Sequence, residues 1–391
     1  MQGLLSGLDR KNCWTIAEHR GDTSPEGLQH LLSRAKWDQD AVRDDLRGYV
    51  RESFDDARGI FVVDETGDLK KGTRTVGVQR QYTGTPGRIE NAQVAVYLTY
   101  TAQRGHALID RALYLPRSWV DDPARCAVAG VPADVEFATK PVLALRMIGA
   151  ALDAGVRAAW VTGDEVYGND PTLRAGLRDR RVGHVMAVSC DHRIPTNGGP
   201  VRADSVARGL PPASWQRLSA GSGSKGDRMY SWAYLPLPPD ETGHQWVLLR
   251  RNDCTGELAF YRCYSPELVP LGELVYVAGR RWTVEECFQT AKGQAGLDQH
   301  QVRTWTSWHR WVTLAMLAMA FLAVVTADER ERTPAPAGMI PFTLNEIRRL
   351  LDALTNGPAT TTEHVLRWSD WRRKHQATAR ECHYRRRSEH P

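Results

Sequence analysis

Two short apolar runs, each stopping at an acid, constrain the fold more than any other feature of this chain. Residues 59–63 (GIFVV) end at Asp64, and residues 158–162 (AAWVT) end at Gly163-Asp164. A continuous apolar run of this length, bounded by a sharp polar break, is the mark of a strand buried on both faces. Between the two runs, residues 140–155 have helical apolar spacing and close on a glycine. Strand, helix and strand in that order predict an α/β sheet. In such a sheet, neighbouring strand ends bring side chains together although 100 positions separate Asp64 from Asp164.

The remaining pattern fills in around this sheet. Residues 1–55 read as helices, with Thr23-x-x-Glu26 as a capping-box start and Asp38 as a second cap. Residues 93–100 (QVAVYLTY) and 106–115 read as strands, and 66–91 as a Gly-rich basic loop. Residues 171–181 read as a short helix and 184–189 as a third buried strand. The stretch 191–266 breaks the alternation with prolines, GSGSKG at 221–226 and three strand-like pieces, so it reads as a β-rich insertion. Helices return at 268–279, 281–295 and 307–327. The apolar stretch 312–325 is too short for the roughly 20 residues of a bilayer span, and so reads as a buried helix. A Pro/Ala linker (333–338) and a helix opened by Thr343-x-x-Glu346 follow.

Charge is uneven. The chain carries +5 overall, and residues 367–391 hold eight Lys/Arg against three Asp/Glu, so the tail alone accounts for it. A basic tail with Trp368 and Trp371 suits a polyanion. Seven scattered cysteines, none in C-x-x-C spacing, argue against a disulfide framework or a structural zinc site and for reduced thiols in a cytosolic protein. Neither a phosphate-binding G-x-x-x-x-G-K-[ST] loop nor a nucleophile elbow occurs.

A third acid joins the pair. In RRWTVEECFQTAK (280–292), Arg281, Glu285 and Lys292 stand at i, i+4 and i+11, which puts all three on one helix face. Hard cations such as Mg²⁺ take carboxylate oxygens. Two such ions about 3.5–4 Å apart serve phosphodiester transfer. Flanking cations suit the phosphates of such a substrate. A surface ladder of ion pairs has the same spacing.

The segments VDETGDLKKG, GDEVYG and RRWTVEECFQTAK, followed by GLDQHQVRTWTSWHRWVTLAMLA, resemble the DDE-type insertion-sequence transposases. The closer resemblance is to the branch with a β-rich insertion before the last acid and a Tyr-Arg-Glu-Lys signature. Arg281, Glu285 and Lys292 match its last three elements, whereas the tyrosine slot falls on Ala278 and Tyr276 stands two residues earlier.

The resemblance implies an α/β fold with an RNase H-like catalytic core, divided as follows. Residues 1–55 form a helical N-terminal DNA-binding region, 56–190 the first part of the core, and 191–266 the β-rich insertion. Residues 267–330 form the C-terminal core helices, and 331–391 a linker with a helical basic tail. It implies Asp64, Asp164 and Glu285 as catalytic and metal-binding acids for two Mg²⁺ ions, with Mn²⁺ able to substitute. Glu65, Asp68, Glu165 and Glu286 stand near enough to compete for these places, although Glu286 projects about 100° from Glu285. Arg281 and Lys292 are expected on DNA, joined by Lys70, Lys71, Lys225, Arg228, Arg372, Arg373 and Lys374. The expected activity is metal-dependent cleavage at transposon ends and 3′-hydroxyl transfer into target DNA. The protein is expected to be a homodimer on double-stranded DNA, off the membrane, in the cytoplasm at the nucleoid. A nuclease without strand transfer, or a DNA-binding derivative without catalysis, are the competing readings.

Overall fold

A computed structural model describes residues 1–355 except 85–86, 197, 224–225, 241 and 337–338; beyond 355 it describes only 361, 363, 367, 368, 371 and 378. Four helices come first: α1 (Gln2–Leu5), α2 (Cys13–His19), α3 (Glu26–Ser33) and α4 (Gln39–Phe54). Strands β1 (Ile60–Leu69), β2 (Gln79–Thr83), β3 (Arg88–Thr101) and β4 (His106–Leu113) follow. Helices α5 (Arg117–Val120) and α6 (Pro123–Val128) lead to α7 (Lys140–Asp153). Next come β5 (Trp160–Gly163), α8 (Glu165–Gly168), α9 (Pro171–Asp179) and β6 (Gly183–Val188). A small hairpin, β7 (Arg193–Ile194) and β8 (Val201–Arg202), precedes α10 (Ala203–Gly209). Then β9 (Gln216–Gly223), β10 (Gly226–Asp240), β11 (Gly243–Arg251) and β12 (Leu258–Ser265) run in succession. Helices α11 (Leu271–Arg280), α12 (Trp282–Ala295), α13 (Trp305–Arg332) and α14 (Leu344–Thr355) complete the described chain.

Among the described residues one ten-stranded sheet runs β2-β3-β1-β5-β6-β12-β11-β10-β9, with β4 also on β3. β1 pairs antiparallel with β3 and parallel with β5, and β5 pairs parallel with β6. The succession β4-β3-β1-β5-β6 is the mixed sheet of an RNase H-like core. The β-rich segment does not stand apart from this sheet: β12 pairs antiparallel with β6 and carries β11, β10 and β9 outward. A satellite core with Val188, Ala207, Val247 and Phe260 lies under that extension. Trp232 and Trp246 are buried, as core residues of a sheet should be.

Helices cover both faces of the core. α12 lies on the face carrying Tyr97 and Thr101, where Phe288 meets the Tyr97 ring edge-on and Thr283 bonds Thr101. α7 and α8 lie on the other. The apolar stretch at 312–325 grows into a 28-residue helix, α13. By length and apolarity it would cross a bilayer, but 72% of its most apolar stretch is buried in the protein. Leu4, Ile16, Leu46 and Phe54 of the first four helices belong to the main core, so 1–55 packs as part of the same body.

Three local expectations are corrected. Helix α3 starts at Glu26 with Pro25 as its cap, and Thr23 takes no part; Ser24 Oγ instead accepts from the Glu26 amide. The proline fixes the first turn without a capping hydroxyl at that position. The 66–91 segment is not a plain loop, since it holds the second half of β1, then β2 and the start of β3. Asp64 is therefore inside β1 and not at its end. Asp38 and Thr343 cap their helices as expected.

Candidate active site

Strand alternation explains which side chains meet. Asp64, Thr66 and Asp68 pair across β1–β3 with Tyr97, Ala95 and Gln93, so the three share the α12 face. Glu65 points to the opposite face, where Lys140 Nζ at 2.6 Å and the Tyr167 hydroxyl at 2.6 Å hold its two oxygens. Asp164 follows β5 and caps α8, its Oδ1 accepting from the Val166 amide at 2.9 Å. Since β5 runs parallel beside β1, with Val63 opposite Gly163, Asp164 comes next to Asp64.

The electrostatics express that closeness. Burial and then the Asp164 charge push the Asp64 carboxyl up to about 7, against the pull of Arg281. Asp164 is also raised, by burial and then by Glu65, with the Val166 amide and Arg281 opposing. Two half-buried acids, each raised by burial and by a neighbouring carboxylate, form a site short of positive charge.

Arg281 supplies part of it. Its guanidinium lies 3.7 Å from Asp64 Oδ2 and 3.2 Å from Glu285 Oε1, and so bridges β1 to the start of α12. Farther along α12, Lys292 Nζ donates to Thr66 Oγ1 at 2.7 Å. The structure thus gathers Asp64, Asp164, Arg281, Glu285 and Lys292 around the upper half of β1. Of the competing acids, Asp68 is hydrogen-bonded to the buried His300 at 3.0 Å and kept below its ordinary pKa by that bond, burial notwithstanding. Glu286 projects away towards His106, 3.9 Å distant, and Glu165 is exposed in the first turn of α8.

The remaining expected DNA contacts fall in different places. Lys71 is exposed. Lys70 is largely covered and lies 4.0 Å from Asp68. Arg228 donates to the carbonyls of Ala220, Gly221 and Gly279, which ties β9 and β10 to the end of α11. Lys225, Arg372, Arg373 and Lys374 lie outside the described residues. At the tyrosine slot, Ala278 is buried. Tyr276 accepts from Arg280 at 3.0 Å, and Arg58 also stacks on its ring.

Lys140, Thr66, Tyr167 and His300 were missed by sequence reasoning. The period-two pattern of DETGDL was the available signal for Thr66, and the buried tyrosine of GDEVYG for Tyr167.

A divalent cation suits part of this donor set. Asp64 and Asp164 offer carboxylate oxygens, which hard cations prefer, and burial with neighbouring acids raises both carboxyls. Glu285 meets the pair through Arg281. Among the described residues no three His, Cys, Asp or Glu side chains converge closely enough to ligate one ion together.

A family model described as "DDE superfamily endonuclease" matches residues 1–232. The chain belongs to the DDE superfamily. The matched span includes Asp64 and Asp164 and stops before Glu285. A relative, the probable transposase for insertion sequence element IS701 of Microchaete diplosiphon, is 28% identical over 195 residues. That alignment takes in 49% of this chain and 48% of the relative, so the chain spans about half the length of the curated protein it matches. Among solved structures, a piggyBac transposase synaptic complex with hairpin DNA aligns over 79% of this chain and 56% of that one, at 11% identity and a TM-score of 0.41.

Proposed function

We propose that this protein is a DNA transposase that cuts the ends of an insertion sequence and joins the freed 3′-hydroxyls to target DNA. The observation that carries the reading is the half-buried Asp64–Asp164 pair, linked through Arg281 to Glu285. Membership of the DDE superfamily and the name of the insertion-sequence relative support it.

Asp64, Asp164 and Glu285 would hold Mg²⁺, two ions per site, with Mn²⁺ as a substitute. Bound there, the cation supplies activation of the attacking oxygen and neutralises charge on the leaving one. Asp164 is oriented for this role by the Val166 amide. Arg281 turns from its carboxylates to a phosphate of the cleaved strand, and Lys292 leaves Thr66 for another. In the first step a water oxygen bonds to phosphorus, the P–O3′ bond breaks, and a free 3′-hydroxyl and a 5′-phosphate result. In the second, that 3′-oxygen bonds to a target phosphorus and expels the target's own O3′. Each bond made matches one broken, so neither step needs ATP or a protein nucleophile. Cutting and joining two ends together calls for a homodimer on double-stranded DNA.

The test is an excision and joining assay with purified protein, a duplex bearing the element's ends, and Mg²⁺ or Ca²⁺. Wild type should release 3′-hydroxyl ends in Mg²⁺ and join them to target, and Asp164→Ala should do neither. Cutting without joining would leave a nuclease. Binding without cutting would leave a DNA-binding derivative.

A further inference from the structure

The geometry points to Glu65 and Tyr167 as positioning residues that clamp Asp64 and Asp164 into one carboxylate pair, so that their contact sets how tightly the site holds a divalent cation. This rests on the transposase reading and deepens it, since neither side chain is placed to ligate the cation or to touch DNA.

The backbone alone leaves the pair half-fixed. β1 and β5 pair in register as far as Val63 opposite Gly163, one residue short of each acid. From there β1 runs on along β3, whereas the chain after β5 turns into α8. The two acids therefore start side by side on elements that diverge. The Tyr167 hydroxyl, donating to Glu65 Oε2 at 2.6 Å, ties β1 to α8 again just past them.

Each member of this contact is also tied to one of the acids. The Glu65 amide donates to Asp64 Oδ1 at 2.7 Å. Tyr167 lies in the turn that Asp164 caps, and its amide donates to the Asp164 carbonyl at 3.2 Å. So the residue that orients the first acid through its backbone holds, through its side chain, the residue that closes the turn of the second. α8 has four residues, too few to hold a helical turn in place unaided. Its supports are Gly168, where an added Cβ would collide with the Ala187 carbonyl, and the fully buried Tyr167 ring with its hydroxyl on Glu65.

Glu65 is itself held. Lys140 Nζ lies 2.6 Å from its other oxygen, and the two side chains keep only 20% and 17% exposure. A covered carboxylate with an ammonium on one oxygen and a phenol on the other is engaged at both, which suits an anchor and not a ligand. Its charge also raises both neighbouring carboxyls, adding to the pull on a cation. A test of the clamp must therefore break the contact without changing charge.

The experiment titrates Mn²⁺ alone into the full-length protein and reads free Mn²⁺ by electron paramagnetic resonance. Melting without cation and cutting across a Mg²⁺ series are read in parallel. Tyr167→Phe removes one oxygen, keeps every charge and leaves the buried ring in place. It should weaken Mn²⁺ binding by about 10–100-fold, the usual effect of losing a contact that orients a metal ligand. Cutting should then need more Mg²⁺ but recover when Mg²⁺ is saturating. Glu65→Gln should also weaken Mn²⁺ binding, and the double variant should lose less than the product of the two single losses, because both disturb one contact. If Glu65→Gln does not fold, Tyr167→Phe decides alone. Equal Mn²⁺ affinity in wild type and a folded Tyr167→Phe, or single losses that simply multiply, would overturn the clamp, and a wild type that still cuts would leave the transposase reading standing. Mn²⁺ binding that depends on Tyr167 in a protein that never cuts would support the clamp and overturn the transposase reading. A wild type that binds no Mn²⁺ and cuts nothing would overturn both.

Discussion

Asp64→Asn should abolish cleavage and yet stabilise the cation-free protein, with a pH dependence that identifies the cause. The Asp64 carboxyl rises from 3.8 to about 7 on folding, chiefly through burial and the neighbouring Asp164. Below pH 4 the folded and unfolded chains both carry it neutral, and it costs nothing. Between about pH 4 and 7 the unfolded chain ionises first, so wild type loses stability as pH rises. Above 7 the full cost is present. A shift of about three units at about 1.36 kcal/mol each sets a ceiling of about 4 kcal/mol. The side chain keeps 15% exposure, and relaxation of water and neighbouring groups brings this to about 2 kcal/mol. An unfolding entropy of about 2.1 cal/mol/K per residue, over this length, converts that to a rise of roughly 2–3 °C in Tm. Asparagine keeps the volume, and Arg281 keeps Glu285 as its partner. Calorimetry of both proteins at pH 5 and pH 8, without divalent cations, should show the variant ahead at pH 8 and the gap mostly closed at pH 5. Adding Mg²⁺ at pH 8 should then raise wild type and leave the variant unmoved, since only an ion bound to the folded form stabilises it. A variant less stable than wild type at pH 8, or a gap independent of pH, would refute the reasoning.

Other substitutions probe the frame and the third acid. Glu285→Gln should remove Mg²⁺-dependent cutting while duplex affinity by anisotropy stays within about twofold, because one neutralised acid leaves the phosphate contacts in place. Asp110→Asn should cost about 3 kcal/mol in urea unfolding, since it strips the buried Arg47 of its buried ion partner 2.6 Å away and leaves it only the exposed Asp44. Gly279→Ala should destabilise by about 2 kcal/mol, as the added methyl would overlap the Ala220 carbonyl where α11 crosses β9. Gly48→Ala, in the middle of α4 with open space around it, should raise stability by up to about 1 kcal/mol on the same unfolding curves.

Much of the frame was legible because burial leaves a pattern. The runs at 59–63 and 158–162 became buried strands, and Asp38, Thr343 and the spacing of 140–155 marked real helices. The polar half of β1 left no such pattern. DETGDL has too few apolar side chains to read as a strand, yet β3 pairs with all of it and three of its polar heads find partners from covering elements. Glu65 takes Lys140 and Tyr167, Thr66 takes Lys292, and Asp68 takes His300. Partners distant in sequence made this stretch a strand, and local propensity has no access to them. Strands β9–β12 were readable one by one, but their attachment to β6 depends on non-local pairing that alternation alone cannot specify.

The same partners explain how the site can exist before its substrate arrives. Glu65 and Asp68 are satisfied within the fold, so their charges are spent on holding α7, α8 and the 300 region against β1. Asp64 and Asp164 carry raised pKa values because burial and a neighbouring acid outweigh what Arg281 and the backbone amides offer them. Arg281 offsets some of that imbalance from 3.7 Å and shares itself with Glu285. On the proposed function, that guanidinium would turn to a phosphate and leave the negative charge that a cation needs. On the same reading, the difference between firmly and weakly partnered acids on one strand separates positioning from chemistry, and it favours Asp64 over its neighbours Glu65 and Asp68.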